Sequence, residues 1–211
     1  MPGPAHDPVP PQLPQQILAL IDEAEDRIRE HLRRTKGRRR GFVASDFVAV
    51  YQALRHVVDS HQASGDRFCE WGSGFGVVAL LAHALGFHSS GIEIQEELVE
   101  QAEQLAHDFE MEVDYVVGSF VPVAARSLVE EHGYTWSDPG DRCGYEELDA
   151  EPEDFDLFFA YPWPGEEDVF DALFAQCAAT GTLLLTYNGV SGVRLQRKLE
   201  DGSVAELDLA T

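Results

Sequence analysis

Three groups of residues in this sequence have the types and spacing that chemistry requires. The first is Glu70-Trp71-Gly72-Ser73-Gly74-Phe75-Gly76, an acid followed by three glycines at alternate positions. Glycines allow a tight turn and let the backbone approach a ligand without a Cβ in the way. The second is Glu93, at the end of the short run Gly91-Ile92-Glu93-Ile94, seventeen residues after Gly76. A carboxylate there can accept two hydrogen bonds from the hydroxyls of a ribose. The third is Tyr161-Pro162-Trp163-Pro164, directly after the apolar run Asp156-Leu157-Phe158-Phe159-Ala160. Two aromatic rings at a strand end can wall a channel and stabilise a cationic centre. The plainer role for Tyr161 and Trp163 is packing at the sheet edge.

The glycine spacing separates two classes of cofactor. Dinucleotide-binding turns read GxGxxG, with the third glycine aiding helix packing beside a pyrophosphate. Here the pattern is GxGxG, Val77 occupies the next position, and an acid precedes the first glycine. That acid disfavours a phosphate and suits a ligand with positive charge, and S-adenosylmethionine (SAM) carries an ammonium and a sulfonium. Glu93 alone would serve NAD equally well, but Glu70 and Glu93 together around GxGxG predict SAM. An NAD(P) oxidoreductase is disfavoured by the spacing and by the lack of an evident proton-donor pair.

The elements that must position these groups can be read from hydrophobic periodicity. Residues 12–34 place Leu13, Ile17, Leu20, Ile21, Ala24, Ile28 and Leu32 on one helical face. Ser45 is the expected N-cap of a second helix through Phe47, Tyr51, Leu54 and Val58. Arg67–Trp71 is a short β-run before the glycine turn, and Val77 to Gly86 an apolar helix after it. His88 to Ile94 (strand), Gln95 to Phe109 (helix) and Glu112 to Gly118 (strand) complete a βαβαβ pattern. Val121 to Glu131 can form a helix. Residues 132–154 are rich in Gly, Pro and Asp and long for a connection, so a functional lid or a disordered insertion is expected there. A fourth strand, a helix and a fifth strand follow, and the tail alternates around Glu200-Asp201-Gly202 as an antiparallel hairpin.

The expected fold is therefore α/β: a Rossmann-like, doubly wound, mostly parallel sheet with a C-terminal antiparallel hairpin. Residues 1–11 form a Pro-rich leader, 12–41 a helix with a basic loop, and 42–211 the main domain. Hydrophobic residues at 44% and charged residues at 25% are ordinary for a globular chain with a full core. No apolar run spans a bilayer, the leader has no signal-peptide core, and a cytoplasmic location is the default. Cys69, Cys143 and Cys177 form no CxxC pair, so neither a disulfide framework nor a metal site is expected, and Cys69 reads as a buried thiol. The formal net charge is −23, yet eight of the fifteen Lys and Arg residues lie between Arg27 and Arg40. The main body is thus strongly acidic, which disfavours a nucleic-acid acceptor.

The stretches EWGSGFG, GIEI, VVGSF and DLFFAYPWP together resemble the class I, seven-strand SAM-dependent methyltransferases, over about Phe42 to the C-terminus. More narrowly, FCEWGSGFGVVALLA with the upstream GFVASDF is similar to some protein-lysine methyltransferases of that fold. The resemblance implies that Gly72, Gly74 and the backbone around Ser73, within the turn closed by Gly76, face the methionine part of the cofactor, with Glu70 near its ammonium. It implies that Glu93 holds the ribose, Ile94 packs on the adenine, and Gly118-Ser119-Phe120 borders that ring. Ser119 stands where many relatives have an acid. Tyr161 and Trp163 fall at the family's substrate-side motif, without the Asn/Asp-Pro-Pro-Tyr of planar-nitrogen methylation.

The expected reaction is methyl transfer from SAM to an acceptor, a protein amine or a small molecule. Catalysis would rest on proximity and orientation, because the sulfonium is already activated. The alternative is a non-catalytic SAM-binding or regulatory protein that keeps the fold. The sequence specifies neither the acceptor nor the oligomeric state.

Overall fold

The computed structural model describes residues 13–35, 43–133 and 142–209. The basic stretch Lys36 to Arg40, as well as Tyr134 and Trp136 of the predicted insertion, lie outside the described residues. Seven strands form one sheet: β1 (Arg67–Trp71), β2 (His88–Glu93), β3 (Asp114–Val117), β4 (Leu157–Ala160), β5 (Leu183–Tyr187), β6 (Val193–Lys198) and β7 (Val204–Leu207). Their order is β3-β2-β1-β4-β5-β6-β7, with β3 to β5 parallel and β6 and β7 antiparallel. This is the expected Rossmann-like, doubly wound arrangement with its terminal hairpin. The strand order reverses between β1 and β4, and such a reversal opens a crevice at the carboxyl edge.

Alternation along the strands feeds two helical layers. Phe68, Leu157, Phe159, Leu183 and Leu185 join the core with α1 (Gln15–Arg34), α2 (Phe47–Asp59), α3 (Val77–Ala84) and α4 (Glu96–Asp108). Cys69, Trp71, Phe158, Ala160 and Leu184 join the opposite core with α5 (Arg126–Glu131), α6 (Gly144–Glu147) and α7 (Glu167–Cys177). The period of two in strands buried on both faces explains their near-continuous apolar runs. The apolar stripe of α1, Ile17, Leu20, Ile21, Ala24 and Ile28, packs into the first core. No described helix is long and apolar enough to cross a membrane.

Two expectations about local structure are corrected. The N-cap of α2 is Asp46, whose carboxylate accepts from the Ala49 N–H at 3.0 Å, and not Ser45. Asp46 directly precedes the first buried residue of the helix, whereas Ser45 stands one position outside it. The helix expected from Val121 begins only after Pro122, as a 3₁₀ turn at Val123–Ala125 that continues into α5. The described end of the 132–154 insertion is folded, with α6 and a 3₁₀ turn at Pro152–Asp154. Ser119 bridges Cys143, and a Cβ on Gly144 would lie 2.3 Å from Ile92, so the chain is pressed against the sheet. Tyr145 is buried there, and its hydroxyl accepts from the Trp71 indole N–H at 2.7 Å.

Candidate functional site

The turn after β1 is built from its own backbone bonds. Gly72, Gly74 and Gly76 take φ of 68°, 54° and 67°, which glycine alone adopts without strain. The Gly72 and Ser73 N–H groups donate to Ile92 O at 2.9 and 3.0 Å, and the Gly76 N–H donates to Ser73 O at 2.7 Å. The Gly74 N–H donates to Glu93 Oε2 at 2.9 Å. A phosphate-binding turn needs such N–H groups aimed at the anion. Here four of them are engaged within the protein. Gly76 is also fixed from behind, because the Tyr115 hydroxyl donates to its carbonyl at 2.6 Å and a Cβ would meet the Tyr115 ring at 2.3 Å. A Cβ on Gly72 would meet nothing within 4 Å, and that open side faces the cleft.

Glu70 and Glu93 flank this turn, and both are buried. One Glu70 oxygen accepts from the Ala79 N–H at 2.8 Å, in the first turn of α3. Burial drives the Glu70 pKa well above the ordinary glutamate range; backbone N–H donors oppose the rise and the charge of Glu93 adds to it. Burial also raises the Glu93 pKa, against N–H donors from Gln95, Gly74 and Ile94. Its Oε1 accepts from the Gln95 N–H at 2.9 Å. An ionised carboxylate has about four lone-pair sites, and donors from Gly74, Ile94 and Gln95 already draw on them.

Two adjoining cavities occupy the crevice between β1 and β4. The larger, about 420 Å³, is lined by Glu93, Ile94, Ser119 and Phe120 on one side and by Glu166 and Phe170 on the other. The smaller, about 240 Å³, lies against Ser45, Phe47, Glu70, Ser73, Phe75 and Phe159. Trp71, Gly72, Tyr161 and Trp163 line both and form the boundary between them. Ile94 is 44% exposed, an accessible apolar face beside the Glu93 carboxylate. The Ser119 hydroxyl accepts from the Val121 N–H at 3.1 Å, and Phe120 forms a triangle of rings with Trp71 and Phe170, its centroid 5.6 Å from each and theirs 6.2 Å apart.

The turn after β4 is held from the following helix. The Trp163 N–H donates to Glu166 Oε2 at 3.1 Å, and the Gly165 N–H donates to Glu167 Oε2 at 2.7 Å. Tyr161 meets Tyr187 edge-on with centroids 4.9 Å apart, and burial raises its hydroxyl pKa. Trp163 remains 46% exposed at the cleft.

Of the residues singled out from the sequence, Glu70, Gly72, Ser73, Glu93, Ile94, Ser119, Phe120, Tyr161 and Trp163 line one cavity or both. Gly74 and Gly76 shape the turn and line neither. Sequence reading missed Ser45, Phe47, Phe75, Phe159 and Phe170, which reach the cleft through tertiary packing. Glu166, an acid at the head of α7 of a type that can take a proton from an amine, follows Tyr161-Pro162-Trp163-Pro164 by one glycine and lines the larger cavity. Among the described residues, no group of three His, Cys, Asp or Glu side chains could hold a metal.

No protein-family model matches the chain, and no curated protein matches it. Solved structures resemble it at low identity. An O-methyltransferase from Bacillus cereus in complex with S-adenosylhomocysteine (SAH) is 14% identical, with a TM-score of 0.47, over 84% of this chain and 68% of its own. A methyltransferase from Geobacter sulfurreducens is 17% identical, with a TM-score of 0.45, over 83% and 74%. An RNA methyltransferase from Salinibacter ruber, also with SAH, is 17% identical, with a TM-score of 0.44, over 64% and 72%. At these identities the likeness is one of strand and helix arrangement alone.

Proposed function

We propose that this protein is a SAM-dependent methyltransferase that uses the cleft at the β1/β4 reversal. One observation carries the reading: the glycine turn keeps four backbone N–H groups for internal bonds and presents two buried carboxylates beside the crevice. Such a site rejects a pyrophosphate and accepts an adenosyl ligand that carries cations. In this reading Glu93 receives the ribose hydroxyls, Ile94 and Phe120 cover the adenine, and Gly72 lets the methionine part pass toward Glu70. The larger of the two cavities, about 420 Å³, lies within the usual range of small-molecule sites, and the smaller, about 240 Å³, extends it.

The cofactor would supply an activated methyl group, so the protein's part is to bind, orient and exclude water. The acceptor enters beside Tyr161 and Trp163. The test is thermal unfolding with SAM, SAH or NADH. At about one hundred times the dissociation constant, SAM or SAH should stabilise the fold by about 2.7 kcal/mol, and NADH should not. Stabilisation by NADH alone would end the reading. Turnover in a methyl-transfer screen then separates an enzyme from a binding protein.

A further inference from the structure

We infer that the cleft recognises its acceptor as a small organic ammonium ion, held among Tyr161, Trp163, Phe170 and the carboxylate of Glu166; this rests on the SAM reading above. These four side chains share the wall of the larger cavity opposite Glu93 and Ile94. Neither cavity is lined by a single Lys, Arg or His side chain among the described residues, whereas Glu70, Glu93 and Glu166 all contribute carboxylates. An anionic acceptor would find no counter-charge in that lining. A cation finds aromatic faces, which attract it through the ring quadrupole, and a negative group.

The three carboxylates have different positions. Glu70 bonds the start of α3, and Glu93 bonds the glycine turn at the ribose side. Glu166 stands on the β4 side, where its bond to the Trp163 backbone N–H ties the carboxylate to the turn that carries the indole. The net charge of −23 favours the approach of cations over anions to the protein as a whole. An ammonium that still carries a proton must release it before its nitrogen has a lone pair to accept a methyl group. Glu166 can take that proton and pass it to water at the open rim.

The experiment uses the full chain saturated with SAH, and titrates choline, its neutral isostere 3,3-dimethylbutan-1-ol and the anion 3,3-dimethylbutanoate. Choline should bind at least tenfold more tightly than the neutral compound, and the anion should bind least. Glu166→Gln retains an oxygen for the Trp163 N–H and should remove most of the choline preference while SAH affinity stays unchanged. Trp163→Leu, at a half-exposed position, should weaken choline severalfold. Equal binding of choline and its neutral isostere, or a preference that survives Glu166→Gln, would overturn the inference while the SAH titration still supports the cofactor site. No SAH binding at all would overturn both.

Discussion

The turns after β1 and β4 face one cleft, but different things hold them. Gly72 to Gly76 is shaped by positive φ, by backbone bonds to Ile92 and Ser73, and by Tyr115 packed behind Gly76. Tyr161 to Gly165 is shaped by two prolines and by carboxylates reaching back from the head of α7. Its tryptophan stays half-exposed, whereas the tryptophan of the first turn is buried and hydrogen-bonded. The first turn is therefore set before any ligand arrives, at a cost in permitted residues. In the second, Trp163 and Pro164 are exposed, whereas Tyr161 and Pro162 are packed. Under the proposed function, that contrast would give a fixed cofactor side and a more adjustable acceptor side.

The largest effect should separate two glycines. Gly76→Ala puts a Cβ into the Tyr115 ring at positive φ and should cost about 3 kcal/mol of stability. Gly165→Ala, also at positive φ but with open space around it, should cost about 1 kcal/mol. Urea denaturation measures both, and equal losses would break the contrast. Next, Glu93→Ala removes the acceptor shared by the glycine turn and the expected ribose. SAH affinity in calorimetry should fall by about 1.5–3 kcal/mol, roughly ten- to a hundredfold. Unchanged affinity would place the ribose elsewhere.

The smallest effect concerns the second turn. Trp163→Ala should lower methyl-transfer efficiency by about 1–2 kcal/mol of transition-state stabilisation, with an unaltered melting temperature. A lowered melting temperature with full turnover of the folded fraction would assign Trp163 to packing.

Much of this was legible because it is local. Arg67–Trp71 reads as a strand and forms one, and the glycine pattern, the Glu93 position and the terminal hairpin need only nearest-neighbour rules. Ser45 and Asp46 were harder, since both residue types cap helices and only the first buried position decides between them. Tyr145 was unreadable for a different reason. It sits in a polar, Gly-rich stretch, and its burial depends on Trp71, a partner 74 residues away. Phe75 and Phe159 were visible as apolar residues, but the sheet reversal that puts both at one cavity is not a property of either segment.

The stack of Trp71 on Phe120 also has an optical consequence. Two of the three tryptophans in the chain line the cleft, one enclosed and hydrogen-bonded, the other open to water. Trp71 should emit at short wavelength and be shielded from iodide, whereas Trp163 should emit further to the red and be quenched readily. A ligand covering Trp163 would blue-shift that component and protect it from iodide. Intrinsic fluorescence can thus follow occupation of the two sides of the cleft without a label.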